Sequence, residues 1–294
     1  MRQALFCLLM LNCLMPMALV AAPMTFNTAL PVADDEFIVR FQGFIRQSGN
    51  DPSALERDLT VKAFVPVLGY GVSSKLALFG VLPYLDKKLI LSLNNQRQQR
   101  STNGLGDLSL FARYTFYQKN QLGQTFRIAP LFGVKVPTGE DKERDALGQL
   151  PQPFQLGTGS WDFFAGMVST YQTLDYQLDT QFSYRINTEA NNFEAGNEAR
   201  LDLSLQYRLW PNGIKHGFLY AVMESNLIYR DQNRINGSDD PNSGGLTLLL
   251  APGIQYVTKR WIVETVVQLP VVQNLHGMAL ENDYTFWASV RFNF

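Results

Sequence analysis

Polar and mostly apolar residues alternate along much of the chain. In DYQLDTQFSYRIN, uncharged and mostly apolar residues occupy every second position from Tyr176 to Ile186, and the positions between them include Asp179 and Arg185. Such alternation is typical of a β-strand with one apolar and one polar face. The alternating segments have about 10 to 14 residues, whereas ordinary strands have about 5 to 6. This length suits tilted strands that cross a membrane, which need about 9 to 11 residues.

The connections between these segments alternate in length. Twelve segments follow the pattern, at approximately 36–48, 57–68, 75–84, 105–117, 124–137, 158–171, 174–187, 198–210, 217–230, 245–257, 260–271 and 283–294. Connections after odd-numbered segments are long and polar, such as 85–104, and those after even-numbered segments are short, such as TK. Bacterial outer-membrane barrels have an even number of strands, short periplasmic turns and long outer loops, whereas a soluble β-sandwich has no reason to sort its loops in this way. We therefore predict an all-β fold, a transmembrane antiparallel up-and-down β-barrel of about 12 strands, over residues 36–294.

Residues 1–22 have the layout of a secretory signal peptide. Arg2 is followed by an apolar run and then by the small residues Ala21 and Ala22, as in peptides that direct secretion. A single transmembrane helix is the alternative, although Asn12 and Pro16 interrupt the run. We therefore expect the mature chain to leave the cytoplasm.

The predicted cleavage leaves a short segment, residues 23–35, before the barrel. This segment either lies in the periplasm or folds into the lumen as a small plug, and the sequence leaves both possibilities open. Both cysteines, Cys7 and Cys13, lie in the predicted signal peptide. The mature chain is therefore expected to contain no disulfide.

Composition excludes two other classes of protein. No second run of about 20 apolar residues follows the predicted signal peptide, so helical membrane spans are not expected. The chain has 25 basic and 26 acidic residues, a balance that argues against a nucleic-acid partner. The hydrophobic fraction of 46% is also compatible with a soluble β-protein. The prediction of a membrane barrel therefore depends on the alternation of apolar and polar residues and not on composition.

The chain ends on an aromatic residue within an amphipathic strand. Phe294, Phe292 and Val290 occupy alternate positions on the predicted lipid face. Such an ending resembles the C-terminal signal by which the barrel-assembly machinery recognises outer-membrane proteins. The alternative is an ordinary closing strand that ends in phenylalanine.

The polar faces of the strands predict the lining of a lumen. A barrel of 12 strands leaves a free lumen of about 10 Å or less. The predicted basic residues in it are Arg40, Arg46, Lys62, Arg113, Arg127, Lys135, Arg185, Arg200, Arg208, Arg230 and Arg291, and the acidic ones are Asp107, Asp162, Asp179, Asp202, Glu224 and Glu264. A basic excess of this kind would attract small anions. The alternative is that the charges pair with one another and fill the lumen.

Aromatic residues are predicted on the same face. They are Phe64, Phe79, Phe111, Phe164 and Trp287. Together with the arginines they would suit a ligand with an apolar body and an acidic head, such as an aromatic acid or a short fatty acid. Simple packing is the alternative.

Five stretches of the chain carry a family resemblance. They are YGVSSKLALFGVLPYL (70–85), GLGDLSLFARY (104–114), FGVKVPTGE (132–140), LGTGSWDFFAG (156–166) and VVQLPVVQN (266–274). These stretches resemble those of the outer-membrane transporters grouped under the MetA pathway of phenol degradation. The resemblance runs in order over most of the predicted mature chain. It implies a bacterial outer-membrane barrel that acts as a transporter, and it assigns no catalytic or binding residues.

Enzymatic and metal-binding alternatives have weak support. Hydrolysis by a serine or threonine needs a histidine base beside it, but His216 and His276 both lie outside the predicted strands. The acids between Glu140 and Asp145 could serve a protease, although a charged loop bridged by cations to lipopolysaccharide is the simpler interpretation. DQNRINGSDD begins like a calcium loop, but Ile235 occupies a position that needs an oxygen ligand. We predict no catalytic residue, no metal and no cofactor.

The sequence as a whole predicts an outer-membrane channel for passive passage of small hydrophobic or aromatic, acidic organic compounds. A non-transporting structural or adhesive barrel is the alternative. The expected partners are outer-membrane lipid and lipopolysaccharide, the barrel-assembly machinery and a small organic substrate.

Overall fold

The computed structural model describes residues 21–210 and 217–294, so most of the predicted signal peptide lies outside the described residues. These described residues contain one 3₁₀ helix, Gln152–Phe154, and twenty strands. The strands are β1 Phe37–Ser48, β2 Asp58–Gly71, β3 Leu76–Val81, β4 Tyr84–Leu93, β5 Gln96–Leu105, β6 Leu108–Tyr114, β7 Tyr117–Gln121, β8 Gln124–Val136, β9 Arg144–Asp145, β10 Gly148–Gln149, β11 Asp162–Thr173, β12 Tyr176–Ile186, β13 Phe193–Glu194, β14 Glu198–Arg208, β15 Phe218–Arg230, β16 Arg234–Ile235, β17 Ser238–Asp239, β18 Gly245–Val257, β19 Trp261–Leu275 and β20 Tyr284–Asn293.

Twelve antiparallel spans form a closed barrel. Strand β1 pairs with β2 on one side and with β20 on the other, which closes the sheet. Ten spans are single strands, the third span is β3 followed by β4, and the fourth is β5 followed by β6 and β7, both of which pair with β8. The predicted twelve-stranded barrel is confirmed. Within the described part of the chain, no helix is long and apolar enough to cross a membrane.

The two faces of the wall have opposite polarity. On β12, Gln177 and Asp179 are almost completely buried in the barrel interior, whereas Leu178 and Phe182 on the other face are 43% and 55% exposed. A slip of one residue would exchange the two faces. Because a charged side chain at the lipid face is costly, the alternation fixes the register.

The predicted outer loop at 85–104 is wrong, because these residues form the β-hairpin β4–β5. Strand β4 continues the third span along β2 beyond a break at Pro83. The turn is formed by Asn94 and Asn95, both of which have positive φ values, 50° and 61°. Asparagine tolerates this conformation, which tight hairpins need. The polar residues that suggested a loop therefore lie on an outward extension of the wall.

Candidate functional site in the lumen

Residues 21–34, called here the lumen segment, lie inside the barrel. Ala21 packs against Tyr220 and Val257 at one side of the lumen. Farther along, Ala29 packs with Ala129 and Val168, and all three are completely buried. The segment therefore crosses the interior before the chain enters β1.

Side chains of the wall bind the main chain of the lumen segment. The Glu224 carboxylate accepts hydrogen bonds from the main-chain nitrogens of Met24, at 2.7 Å, and Thr25, at 3.1 Å. The nitrogen of Ala29 donates to Thr170 Oγ1 at 2.8 Å. These bonds satisfy main-chain groups that would otherwise be buried without partners, which is costly.

Two predicted lumen arginines also bind this segment. Arg113 donates to the Leu30 carbonyl oxygen at 2.6 Å. Arg40 donates to the Met24 carbonyl oxygen at 3.3 Å and forms an ion pair with Glu264 at 2.6 Å. These arginines are therefore already occupied, and a solute would have to compete with the lumen segment for them.

A second set of arginines lies toward the outer ends of β1, β12, β14 and β15 and does not bind the segment. We call Arg46, Arg185, Arg200 and Arg230 the outer arginine group. Arg200 pairs with Asp202 at 2.9 Å, and Arg230 pairs with Glu198 at 2.6 Å. Arg46, although on β1, lies within electrostatic range of Arg200, Arg230 and Glu198.

Aromatic rings lie beside the outer arginine group. The Arg46 guanidinium lies 5.7 Å from the centre of the Phe44 ring, and that of Arg185 lies 5.8 Å from the Phe164 ring. The Phe44 and Trp287 ring centres are 4.6 Å apart. On the opposite wall, the Phe164 ring contacts Phe111, whose ring stacks on that of Phe79.

At the outer mouth, charges pair and hold a loop in place. Lys135 forms ion pairs with Asp107, at 3.4 Å, and with Asp162. Asp107 also accepts hydrogen bonds from the nitrogens of Gly139, at 3.0 Å, and Thr158, at 2.9 Å. At the outer mouth the charged side chains therefore pair with one another, as the alternative interpretation of the lumen charges predicted.

The predicted lumen positions of Lys62 and Phe64 are wrong. Lys62 is paired with Ile45, and cross-strand partners share a face of the sheet. Phe64 is 51% exposed, and its ring centre lies 5.9 Å from that of Phe41 on the outer surface. From Ala63 to Leu68, β2 is apolar on both faces, and the polar residues Thr60 and Lys62 lie on the outward face near the outer end of the strand. Periodicity alone therefore does not show which face turns inward. The arginine face of β1 sets the register instead.

The other predicted lumen residues face the interior. Arg208 binds Asp175 at 2.8 Å near the periplasmic end, and Asp179 is completely buried beside Thr170 and Gln177. Residues with this inward orientation are Arg40, Arg46, Arg113, Arg127, Lys135, Asp162, Asp179, Arg185, Arg208, Glu224, Arg291, Phe79, Phe111, Phe164 and Trp287.

Sequence reasoning missed the uncharged residues that hold the lumen segment. Gln42 donates to the Met24 carbonyl oxygen at 3.1 Å, Gln181 accepts from the nitrogen of Asn27 at 3.2 Å, and Gln255 donates to the Ala22 carbonyl oxygen at 2.6 Å. Each occupies an inward position of the alternating pattern. Alternation could therefore have identified them, but only charge and aromaticity were used to choose candidates.

Ion pairs also order the outer loops. Burial alone would raise the pKa of Asp51, but hydrogen bonds from Arg57 and Ser53 hold that pKa well below its usual range. Hydrogen bonds from Arg100 likewise lower the pKa of Asp145. Since a lowered pKa stabilises the folded state above the usual aspartate range, these loops are expected to be held at neutral pH and loosened in acid.

Of the two histidines, one lies within the described residues. His276 Nδ1 lies 3.1 Å from the Ser243 carbonyl oxygen, and His216 lies outside the described residues. No group of three or more His, Cys, Asp or Glu side chains in the described ranges could hold a metal ion.

The comparisons agree with the barrel architecture. The chain resembles an outer membrane channel from Pseudomonas putida F1, with a TM-score of 0.68, 16% identity, and coverage of 94% of this chain and 100% of that one. It also resembles the transport unit of the autotransporter AIDA-I from Escherichia coli, with a TM-score of 0.51, 12% identity, and coverage of 95% and 96%. At these identities the likeness shows the fold alone. No curated protein matches the sequence.

Most of the chain matches one protein family. Residues 48–268 match the family described as "Putative MetA-pathway of phenol degradation", which confirms the resemblance predicted from the sequence. A closed barrel with an apolar outer face and matches of this kind place the protein in the bacterial outer membrane, in contact with lipid. The matched region is well over half of the chain, and the chain belongs to this family.

Proposed function

We propose that the protein is a channel for passive passage of small hydrophobic or aromatic, acidic organic compounds across the outer membrane. The observation that carries the proposal is the outer half of the lumen, where Arg46 and Arg185 lie beside the rings of Phe44 and Phe164. Guanidinium groups and aromatic faces together suit a solute with an acidic head and an apolar body. A purely structural barrel would have no need of this arrangement.

The lumen segment closes the inner side of this space and therefore has to shift before a solute passes. Thr25 of the segment forms part of the floor of this space, and its hydroxyl accepts a hydrogen bond from the Asn226 side chain at 3.0 Å. Wall side chains hold the segment by hydrogen bonds, each of which contributes only about 0.5 to 1.5 kcal/mol net in a protein. Bonds of that strength allow the segment to move while the barrel stays intact.

A disulfide between the segment and the wall tests the proposal. Ala29 and Ala129 pack in one cluster, so Ala29→Cys with Ala129→Cys introduces two thiols into a chain whose own cysteines lie in the predicted signal peptide. Uptake of terephthalate, an aromatic dicarboxylate that hardly crosses lipid, is measured in vesicles that contain the folded protein. We expect oxidation to reduce uptake to the rate of protein-free vesicles and reduction to restore it.

The single variant Ala29→Cys is the control, because it cannot form the crosslink and should be insensitive to oxidation. Undiminished uptake in the crosslinked protein would show that the segment does not control the path. If the wild-type protein admits terephthalate no faster than empty vesicles do, the channel proposal fails and a non-transporting barrel is favoured.

A further inference from the structure

The outer arginine group contains two cations without an ion pair. Among the described residues, neither Arg46 nor Arg185 has a carboxylate within ion-pair distance, and the Nε atoms of Arg46 and Arg200 have no hydrogen-bond partner. Both side chains have a ring beside them. The nearby carboxylate, Glu198, which lies opposite Arg185 on β14, is paired with Arg230 and Arg200. Arg185 is exposed to the lumen and Arg46 is partly buried, so each guanidinium group can bind an acidic partner that arrives from outside the chain.

The local charge is positive. Four arginines face two carboxylates, Glu198 and Asp202, which leaves an excess of two positive charges in the group. Asp202 is completely buried, and the side chain of Glu198 is only 10% exposed, whereas that of Arg230 is 48% exposed. The accessible surface of the group is therefore formed mainly by guanidinium atoms.

The unpaired arginines come from opposite walls. Arg46 is on β1 and Arg185 is on β12, and five spans separate these strands on either side of the twelve-span barrel. An anion in the lumen between them could be approached from both sides. Guanidinium groups bind carboxylates through two parallel hydrogen bonds, and a low-dielectric wall strengthens such attraction.

The neighbouring rings indicate the rest of the ligand. Phe44, Trp287 and Phe164 are all only partly buried, and two of these rings, Phe44 and Phe164, lie beside the guanidinium groups. The floor of this space is formed by Asn226, which donates to both Thr25 and Asp202.

We propose that the outer arginine group is a binding site for the carboxylate of an aromatic acid, with the ring of the acid held by Phe44, Trp287 and Phe164. This inference deepens the proposed channel function and names the substrate class of the same lumen. The site captures the acid from the outer side, above the lumen segment.

The test is calorimetric titration of the folded, full-length protein with terephthalate at low salt. We expect Arg46→Gln with Arg185→Gln to raise the dissociation constant at least tenfold. The matched control is Arg97→Gln with Arg234→Gln, which removes two exposed arginines outside the lumen and should leave the dissociation constant unchanged. The neutral terephthalamide should bind the wild-type protein much more weakly than terephthalate does.

Equal affinity in the double variant and its control would overturn the proposal, and so would equal affinity for the acid and the amide. Heat-dependent migration on a gel shows whether each barrel is folded, and the single variants Arg46→Gln and Arg185→Gln give the same comparison if the double variant fails to fold. Failure of the channel proposal is distinguishable, since uptake would then be absent although the wild-type protein binds terephthalate.

Discussion

Gly71, the last residue of β2, lies beside the point at which the lumen segment leads into β1. A Cβ atom at this position would lie 1.9 Å from the Ala33 carbonyl oxygen. The main chain of Gly71 also accepts a hydrogen bond from the nitrogen of Asp35, at 2.9 Å, and donates to the Glu36 carbonyl oxygen, at 3.0 Å. The two chains therefore approach so closely that only a residue without a side chain fits.

Replacing this glycine should displace the segment. We expect Gly71→Ala to push residues 33–35 away from the wall, to increase proteolysis of the lumen segment, and to raise terephthalate uptake severalfold. Gly43→Ala is the control, because its Cβ would meet only the Ala63 carbonyl oxygen at 3.7 Å, an ordinary contact, on the lipid side. Identical behaviour of the two variants would argue against this close approach.

For single residues, the sequence predicted which side chains face the lumen better than it predicted their hydrogen-bond partners. The inward position of Arg113 follows from alternation along β6, but its partner, the Leu30 carbonyl oxygen, does not. Main-chain acceptors carry no residue-specific pattern, so no motif in residues 21–34 announces that the wall will bind them. The sequence alone therefore does not distinguish a periplasmic segment from a plug.

Individual strands were predictable where one face was clearly polar. Strands β12 and β14 follow the predicted alternation closely, because a charged side chain such as Arg200 excludes the lipid face. Strand β2 has no such constraint, since Val61, Val65 and Val67 face the lumen while Phe64 faces outward. Its orientation depends on pairing with β1, which periodicity within one strand does not reveal.

The outward orientation of Phe64 can be tested by its tolerance to charge. We expect Phe64→Arg to lower the free energy of unfolding by about 2 to 4 kcal/mol, because an arginine near the middle of the lipid face loses hydration. Unfolding by urea in lipid vesicles measures this change. Lys62→Gln, on the same face but nearer the outer end of β2, should alter stability by only about 0.5 kcal/mol. A small effect at Phe64 would favour an orientation toward the lumen.

The whole barrel closes at the seam between β1 and β20, where the chain ends. The nitrogen of Phe294 donates to the Phe37 carbonyl oxygen at 2.9 Å, and the nitrogen of Phe37 donates to the Phe294 carbonyl oxygen at 3.2 Å. The Phe294 side chain is 70% exposed. The main chain therefore completes the seam, and the ring is left available on the surface.

This separation of main chain and ring distinguishes an assembly signal from an ordinary closing strand. Phe294→Ala keeps both main-chain bonds, so the refolded barrel should lose about 1 kcal/mol or less of stability. If the ring is recognised during assembly, the amount of folded protein in the outer membrane of cells should nevertheless fall severalfold. Phe37→Ala is the control, because Phe37 lies opposite in the same seam and is 44% exposed. Equal losses in both variants would mean that any aromatic at the seam suffices, and the terminal phenylalanine would then be a structural residue.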